Sequence, residues 1–225
     1  MENNSQSKKQ VNKAHYAFAT YMSKERWNSV WHQLDEILKL EPASVLEIGP
    51  GPGTFKSIAH SMGLNVKTLD LDPDLKPDIL GSATSMPLPD TDFDIVCAFQ
   101  MLEHLPYVEA LKAFAEMARV ASRYIVISLP DSRPVWRYRI FVPKLGTFDK
   151  LMPRPFWRPV QHQFDGQHYW EVNKAGHSLE KLIQDFSLHG KLLKTYRVAE
   201  NPYHRFFVFD VSAKRPADSV EARNV

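Results

Sequence analysis

A doubly wound, mostly parallel α/β sheet is the fold this sequence predicts, and two patterns predict it. Short, continuously apolar runs alternate with segments of helical periodicity from residue 44 to residue 130. Strands apolar on both faces belong in a parallel sheet covered by helices on each side. The first of these runs also passes directly into Gly49-Pro-Gly-Pro-Gly53, a turn that hands a buried strand over to a helix. Right-handed crossovers then set the ligand crevice at the carboxyl ends of the strands.

The elements follow in chain order. Residues 1–22 are expected to form a partly disordered N-terminal arm, polar and without period through residue 14, a composition that cannot bury a core. Ser23 is a plausible N-cap, with Arg26 in place of the acid of a capping box. Trp27, Val30, Trp31, Leu34, Ile37 and Leu38 then recur at helical spacing, and Pro42 ends the helix. Residues 44–48 form a strand, Thr54 to Met62 a helix stopped by Gly63, and residues 65–71 a second strand broken by Asp72-Pro73. A short strand at 78–80 precedes a loop of Ser, Thr and Pro, and 94–99 is a fourth strand. Tyr107 to Ala121 reads as a helix with Val108, Leu111, Ala115 and Ala118 on one face, followed by a strand at 124–129. Residues 130 to about 170 show no clear period. A helix at 178–186 and strands at 191–198 and 205–212 complete the domain, the two strands close enough across Asn201-Pro202 to pair antiparallel. The domain is thus expected over 23–213, with a loose tail at 214–225.

Composition bounds the function. The chain has 225 residues, enough for one ample α/β domain. Its net charge of +2 does not by itself argue for nucleic acid or membrane. No apolar run approaches the ~20 residues of a membrane span, and the N-terminus lacks the apolar stretch of a secretory signal. The expected address is therefore the cytoplasm. Cys97, the single cysteine, lies in an apolar run and reads as an inert core residue.

The glycine turn carries the strongest chemical signal. Gly49, Gly51 and Gly53 alternate where strand gives way to helix, so a ligand can sit against bare main chain and the first amides of the helix. A dinucleotide fingerprint would need a further glycine at position 54, where Thr54 stands. Glu47, just before the turn, would repel phosphates but suits an ammonium or a sulfonium. Asp70 closes the second strand 17 residues past Gly53, where a carboxylate can accept both hydroxyls of a ribose. Asp72 is a rival, because alternate strand residues share a face.

Five segments in order, Val-Leu-Glu-Ile-Gly-Pro-Gly-Pro-Gly, Thr-Leu-Asp-Leu-Asp-Pro, Gly-Ser-Ala-Thr-Ser-Met-Pro-Leu-Pro, Phe-Asp-Ile-Val and Met-Leu-Glu-His-Leu, make the chain resemble the class I S-adenosylmethionine-dependent methyltransferases, in their broad small-molecule branch. The resemblance covers residues 44–130 well and the C-terminal strand pair more loosely. It implies a Rossmann-like, seven-stranded sheet whose last strand is antiparallel, with S-adenosyl-L-methionine as cofactor. By that resemblance Glu47 and the backbone of Gly49, Gly51 and Gly53 hold the methionine part, Asp70 takes the ribose hydroxyls, and Leu71 packs on the adenine. Where the family often has an acid for the adenine amino group this chain has Ser82, so Ser82 or an amide at Ala83 or Thr84 takes that contact. Gln100 lies beside the sulfonium.

Methyl transfer from a sulfonium is a direct displacement in which alignment supplies up to ~7–11 kcal/mol. An oxygen acceptor also needs a base. His104, four residues past the fourth strand, is the candidate catalytic residue, with a helix-start histidine bonded to backbone as the competing reading. His162 and His168 flank Asp165, but neither cysteine nor zinc- or calcium-type spacing accompanies them, so no metal is expected. Similar His-x-Tyr-Trp-Glu stretches lie near the acceptor site in related methyltransferases, which implies substrate contact or a lid for His162, His168 and Tyr169. Between Arg133 and Arg158 seven cations and one acid, Asp149, interleave with aromatics such as Trp136. Four readings stay open for this insert: a lid over an anionic acceptor with Arg133 and Trp136 on the substrate, a loop packed by its own aromatics, docking on an anionic membrane near a lipid-linked acceptor, or, with least support, single-stranded nucleic acid. The leading reading is a methyltransferase for a small or lipid-linked acceptor, an anionic one suiting the insert. A cofactor-binding regulatory or scaffold protein and a nicotinamide-dependent oxidoreductase are the alternatives, and oligomeric state is open.

Overall fold

The computed structural model describes residues 21–214, so the arm at 1–20 and the tail beyond 214 lie outside it. Helix α1, Lys24–Leu38, starts at Ser23, whose Oγ accepts the Arg26 N–H at 3.2 Å. It buries Val30, Leu34 and Ile37, but Trp27 and Trp31 of the expected apolar face are 49% and 58% exposed, and Leu38 is exposed too. Polar contacts set this rotation. Glu36, buried on α1, accepts from Lys194 Nζ at 2.6 Å and the Tyr196 hydroxyl at 2.9 Å, and Ser29 Oγ accepts from Asn201 Nδ2 at 3.1 Å. A buried carboxylate must find its donors, and turning it inward turns the two indoles out.

Strand β1 (Val45–Ile48), helix α2 (Thr54–Ser61), β2 (Val66–Asp70), β3 (Ile79–Leu80), β4 (Phe93–Phe99), helix α3 (Tyr107–Val120) and β5 (Ala121–Pro130) occupy the predicted places. Helix α4 (Leu179–Phe186), β8 (Lys191–Arg197) and β9 (His204–Asp210) close the domain. The sheet order is β3-β2-β1-β4-β5-β9-β8, seven strands. Pairs among β1 to β5 are parallel, while β9 runs antiparallel between β5 and β8. The last strand in the chain is therefore the antiparallel one, as the resemblance implies.

Each face of the sheet carries its own apolar layer. Leu46, Ile125, Ile127, Phe207 and Phe209 meet α3 and α4 through Phe114, Met117, Leu182 and Phe186. On α3 the buried stripe is Ala110, Ala113, Phe114, Met117 and Val120, with Val108 exposed against expectation. The Phe114 ring stacks on Phe186 with centroids 4.5 Å apart and meets Phe209 edge-on, so the largest side chain of the helix selects the stripe. Val45, Ile95, Cys97, Val126 and Val208 pack under α1 and α2. Burial pushes the Cys97 thiol up, consistent with an inert core cysteine.

The insert is not without structure. Strands β6 (Val135–Val142) and β7 (Gly146–Pro153) form an antiparallel two-stranded sheet separate from the main one. Its signal is the period of two in Trp136-Arg137-Tyr138-Arg139-Ile140, hidden because both alternating classes are large and neither face is buried. Register pairs Trp136 with Met152, Arg139 with Asp149 and Ile140 with Phe148. Trp136, Tyr138, Ile140, Phe148 and Met152 thus share one face and are exposed. The other face carries Arg137 and Arg139, both paired to Asp149 at 2.9 Å.

At the end of β5, Asp131 joins four segments from a fully buried position. Its Oδ2 accepts from Arg205 Nε at 2.7 Å and its Oδ1 from Asn173 Nδ2 at 2.9 Å and the Arg133 amide at 3.0 Å. Arg197 Nε lies 3.6 Å away. Removing one partner of a buried pair leaves the other charge uncompensated. Asp131→Ala should therefore lower unfolding stability by about 3–5 kcal/mol, read as a fall in the denaturant midpoint at unchanged slope.

Candidate active site

The turn after β1 has the backbone that glycine supplies. Gly49, Gly51 and Gly53 sit at φ of +65°, +53° and +73°. At Gly49 a side chain is excluded twice over, since a Cβ there would meet Met101 Cγ at 2.4 Å. Gly53 caps α2, whose first amides face the turn. Glu47, on β1, is buried, and its Oε2 has no hydrogen-bond partner among the described residues. Burial pushes its carboxyl up to about 8, only partly opposed by Lys56. A buried carboxylate oxygen aimed at a cleft and left unpaired fits the cationic end of an amino acid.

That cleft is walled by Tyr21, Arg26, Glu47, Gly49, Gln100 and His204, among others. Tyr21 and Met22, assigned by sequence to the loose arm, line it, and the Tyr21 ring carries the Arg26 guanidinium at 4.2 Å. Gln100 holds a left-handed φ of +54°, with its amide on Ser128 O at 2.9 Å and its Nε2 on Ser128 Oγ at 3.3 Å. This is backbone strain beside a ligand cleft, where it is commonly stored.

Asp70 ends β2 and accepts the Asp72 amide on Oδ1 at 2.8 Å, leaving Oδ2 for a ligand hydroxyl; burial raises its carboxyl. Its rival Asp72 caps the turn at Pro73–Leu75 through Asp74 N, 3.0 Å away. Leu71 is exposed beside Asp70, an aliphatic plate at the crevice edge. The Ser82 hydroxyl is taken up by Thr84, contacting its Oγ1 at 2.9 Å and accepting its amide at 3.2 Å. The neighbouring Ala83 amide thus becomes the better candidate for an adenine contact.

Beyond Gln100 lies a cluster of acids and histidines. Glu103 is fully buried, neither of its carboxylate oxygens has a hydrogen-bond partner among the described residues, and burial pushes it up to about 7. His168 Nδ1 lies 3.2 Å from Glu171 Oε1, which also accepts from the Tyr203 hydroxyl. Despite its burial, hydrogen bonding to Glu171 and the charge of Glu103 hold the His168 imidazole above the usual range. The His104 ring stands edge-on to His168, centroids 5.1 Å apart, with Nδ1 3.1 Å from Gln167 O. His204 is buried and kept neutral, its value pushed down to about 3.

The structure brings the sequence candidates Glu47, Gly49 and Gln100 to one cleft and sets the His104 and His168 rings against each other. Among the substrate candidates, Tyr169, Trp136 and Arg133 do not join them. Tyr169 is exposed and packs on Phe164, Trp136 lies on the outer face of the hairpin, and Arg133 lines a different cavity. His162 gives its Nε2 to His168 O at 2.8 Å, a positioning contact. It belongs to neither of the two groups whose donor atoms lie within 4.8 Å of one another, Glu103-His104-His168 and Asp165-His168-Glu171. Arg26, Glu103, Glu171, Tyr203 and His204 went unassigned. For Glu103 the signal was present: a carboxylate inside Met-Leu-Glu-His-Leu, between residues that must be buried.

The methyltransferase-domain family model matches residues 46–124. Among solved structures, the chain resembles a protein of Pyrococcus horikoshii OT3 at 16% identity and a TM-score of 0.58, over 89% of this chain and 99% of that one. It resembles a S-adenosylmethionine-dependent methyltransferase of Aquifex aeolicus at 14% and 0.55, over 89% and 99%. A third is the Burkholderia thailandensis 1,6-didemethyltoxoflavin-N1-methyltransferase, solved with 1,6-didemethyltoxoflavin and S-adenosylhomocysteine, at 12% and 0.56 over 89% and 87%. At these identities the likeness is one of fold. No curated protein matches the sequence.

Two outcomes follow for the cleft. A ligand ammonium needs Glu47 ionised, whereas its value of about 8 keeps it protonated at neutral pH. Binding of S-adenosylhomocysteine should then release close to one proton at pH 6.5, and affinity should rise with pH by up to tenfold per unit before levelling above 8. Calorimetry in buffers of different ionisation heat reads the proton, and Glu47→Gln should abolish both effects. Asp70→Ala should weaken the same ligand by about tenfold or more; unchanged affinity would remove Asp70 as the ribose ligand.

Proposed function

We propose that this member of the class I S-adenosylmethionine-dependent methyltransferase superfamily methylates an acceptor presented at an anionic membrane surface. Its cofactor is S-adenosyl-L-methionine, which when bound supplies an electrophilic methyl on a sulfonium leaving group. Glu47 and the glycine turn hold the amino-acid end, Asp70 the ribose, Leu71 and the Ala83 amide the adenine, and Gln100 stands at the reacting end. His168 is the residue we assign to the acceptor proton. Glu171 fixes one of its ring nitrogens at 3.2 Å, while the carboxylates of Glu171 and Glu103 favour its protonated form. His104 Nδ1 lies against the Gln167 carbonyl and its ring stands edge-on to His168, so it packs and orients His168.

The observation that carries the membrane reading is the outer face of the β6–β7 hairpin. Trp136, Tyr138, Ile140, Phe148 and Met152 are exposed together, and Phe141 and Leu145 at the tip are 69% and 72% exposed. Lys144, Lys150, Arg154 and Arg158 stand among and beside them. Aromatic and aliphatic side chains rimmed by cations suit the headgroup layer of an anionic bilayer. Glu200 links the arginine face of the hairpin to α1, 3.3 Å from Arg139 and 3.6 Å from His32, and α1 exposes Trp27 and Trp31. Arg137 and Arg139, the cations nucleic acid would need, are committed to Asp149 and Glu200. No helix of the described residues is long and apolar enough to cross a membrane, so the contact proposed is peripheral.

The protein should co-sediment with vesicles of phosphatidylglycerol in phosphatidylcholine, less so as salt rises, and much less with phosphatidylcholine alone. Phe141→Asp with Leu145→Asp should abolish sedimentation and leave S-adenosylhomocysteine affinity unchanged. Absence of sedimentation at low salt would sink the reading.

A further inference from the structure

We infer a second ligand site, for a phosphate monoester with an apolar body, in a cavity of about 240 Å³ between the root of the hairpin and α4. It lies on the other face of the sheet from the donor cleft. His204 borders the donor cleft and Arg205 borders this cavity. Consecutive residues of β9 point to opposite faces, and Phe207, in line with Arg205, packs in the α3–α4 layer. A ligand held here is not the group that receives the methyl.

Three arginines line the cavity, Arg133, Arg197 and Arg205. Asp131, wholly buried behind them, neutralises one charge. Arg197 is fixed by backbone carbonyls: Pro202 at Nε, Arg133 at Nη1 at 2.7 Å and Asp131 at Nη2 at 3.3 Å. Arg205 spends Nε on Asp131 and Nη1 on Thr195 Oγ1 at 3.2 Å, leaving Nη2. Among the described residues the Arg133 side chain has no hydrogen-bond or ion-pair partner, although its own amide is held by Asp131. One guanidinium free, one half-free and one anchored is an incomplete cage around an anion.

The remaining walls define the rest of the ligand. Val135, Leu151, Pro153 and Leu179 give an apolar side. The first amides of α4, at Leu179 and Glu180, cannot be satisfied by their own helix and favour negative charge. Glu180 is exposed at the rim and is the one opposing charge lining the cavity. Three guanidiniums less Asp131 and the rim carboxylate of Glu180 leave one net positive charge, and forked N–H donors suit the several oxygens of a phosphate, which can accept from more than one guanidinium at once. The phosphate could come from a soluble metabolite or from a lipid headgroup; the chemistry is shared. This site stands whether or not the hairpin meets a membrane.

Phenyl phosphate is the probe, titrated at pH 7.5 by calorimetry into the full chain, with and without S-adenosylhomocysteine. Binding should be detectable, should weaken by about tenfold or more in Arg133→Gln, and should tighten by about twofold in Glu180→Gln. Both substituted residues are exposed, so the fold is kept, and S-adenosylhomocysteine affinity should not change in either variant. Vesicles of phosphatidic acid in phosphatidylcholine form the second arm. Loss of vesicle and phenyl phosphate binding together in Arg133→Gln supports the site with a lipid source; loss of phenyl phosphate alone supports it with a soluble one. No heat with phenyl phosphate, together with vesicle binding that Arg133→Gln leaves intact, would overturn it. So would equal phenyl phosphate affinity in the wild type and Arg133→Gln.

Discussion

A single carboxylate, Asp131, buried between two guanidinium groups, is the constraint on which the far half of the crevice depends. It sits where β5 leaves the sheet and binds Arg205 at the start of β9 and Arg197 at the end of β8. Those three ends meet at one edge because β9 runs antiparallel between two strands that point the other way. The reversal brings the start of one strand to the edge where the others finish. His204 and Tyr203 then stand among side chains that follow β4 and β5, and the loop that carries His168 and Glu171 is held over them. The clamp adds little as an ion pair, since burying charges costs about what their attraction returns. Its effect is to fix where the chain leaves the sheet.

The donor half rests on a different economy. Glu47 and Glu103 are buried carboxyls without complete hydrogen bonding, an arrangement a stability-driven sequence would avoid. Their positions explain the exception. Glu47 lines the cleft beside the glycine turn, and Glu103 lies next to His104 and His168. Both titrate near neutrality in the protein alone, about 8 and about 7. Each is therefore able to change charge when a cation or a proton arrives beside it.

The parallel half of the sheet was readable because its strands are mostly apolar rather than alternating and each crossover is marked by glycine or proline. The glycine turn was readable for the same reason: residues 49, 51 and 53 need positive φ, and only glycine takes it freely. Three features were not readable, for distinct causes. The face of α1 was misjudged because Trp27 and Trp31 match the helical period as well as Val30 and Leu34 do, and the deciding partner of Glu36 lies about 160 residues away. The hairpin was missed because alternation of arginine with aromatics has no buried side to reveal it. The cluster of acids and histidines was only half seen, since Glu103, Glu171 and Tyr203 come together through the topology rather than through spacing.

The β6–β7 ribbon is almost all edge. Two strands alone leave an outward row of amides and carbonyls on each side, the arrangement that invites further strands to add on. Its lysines and arginines oppose such growth by mutual repulsion between copies. Anything that neutralises those cations lifts the repulsion as well. Crowding of the protein on a negatively charged surface would thus concentrate ribbons in one plane just as it removes what keeps them apart, and strand-to-strand association would become a matter of surface density.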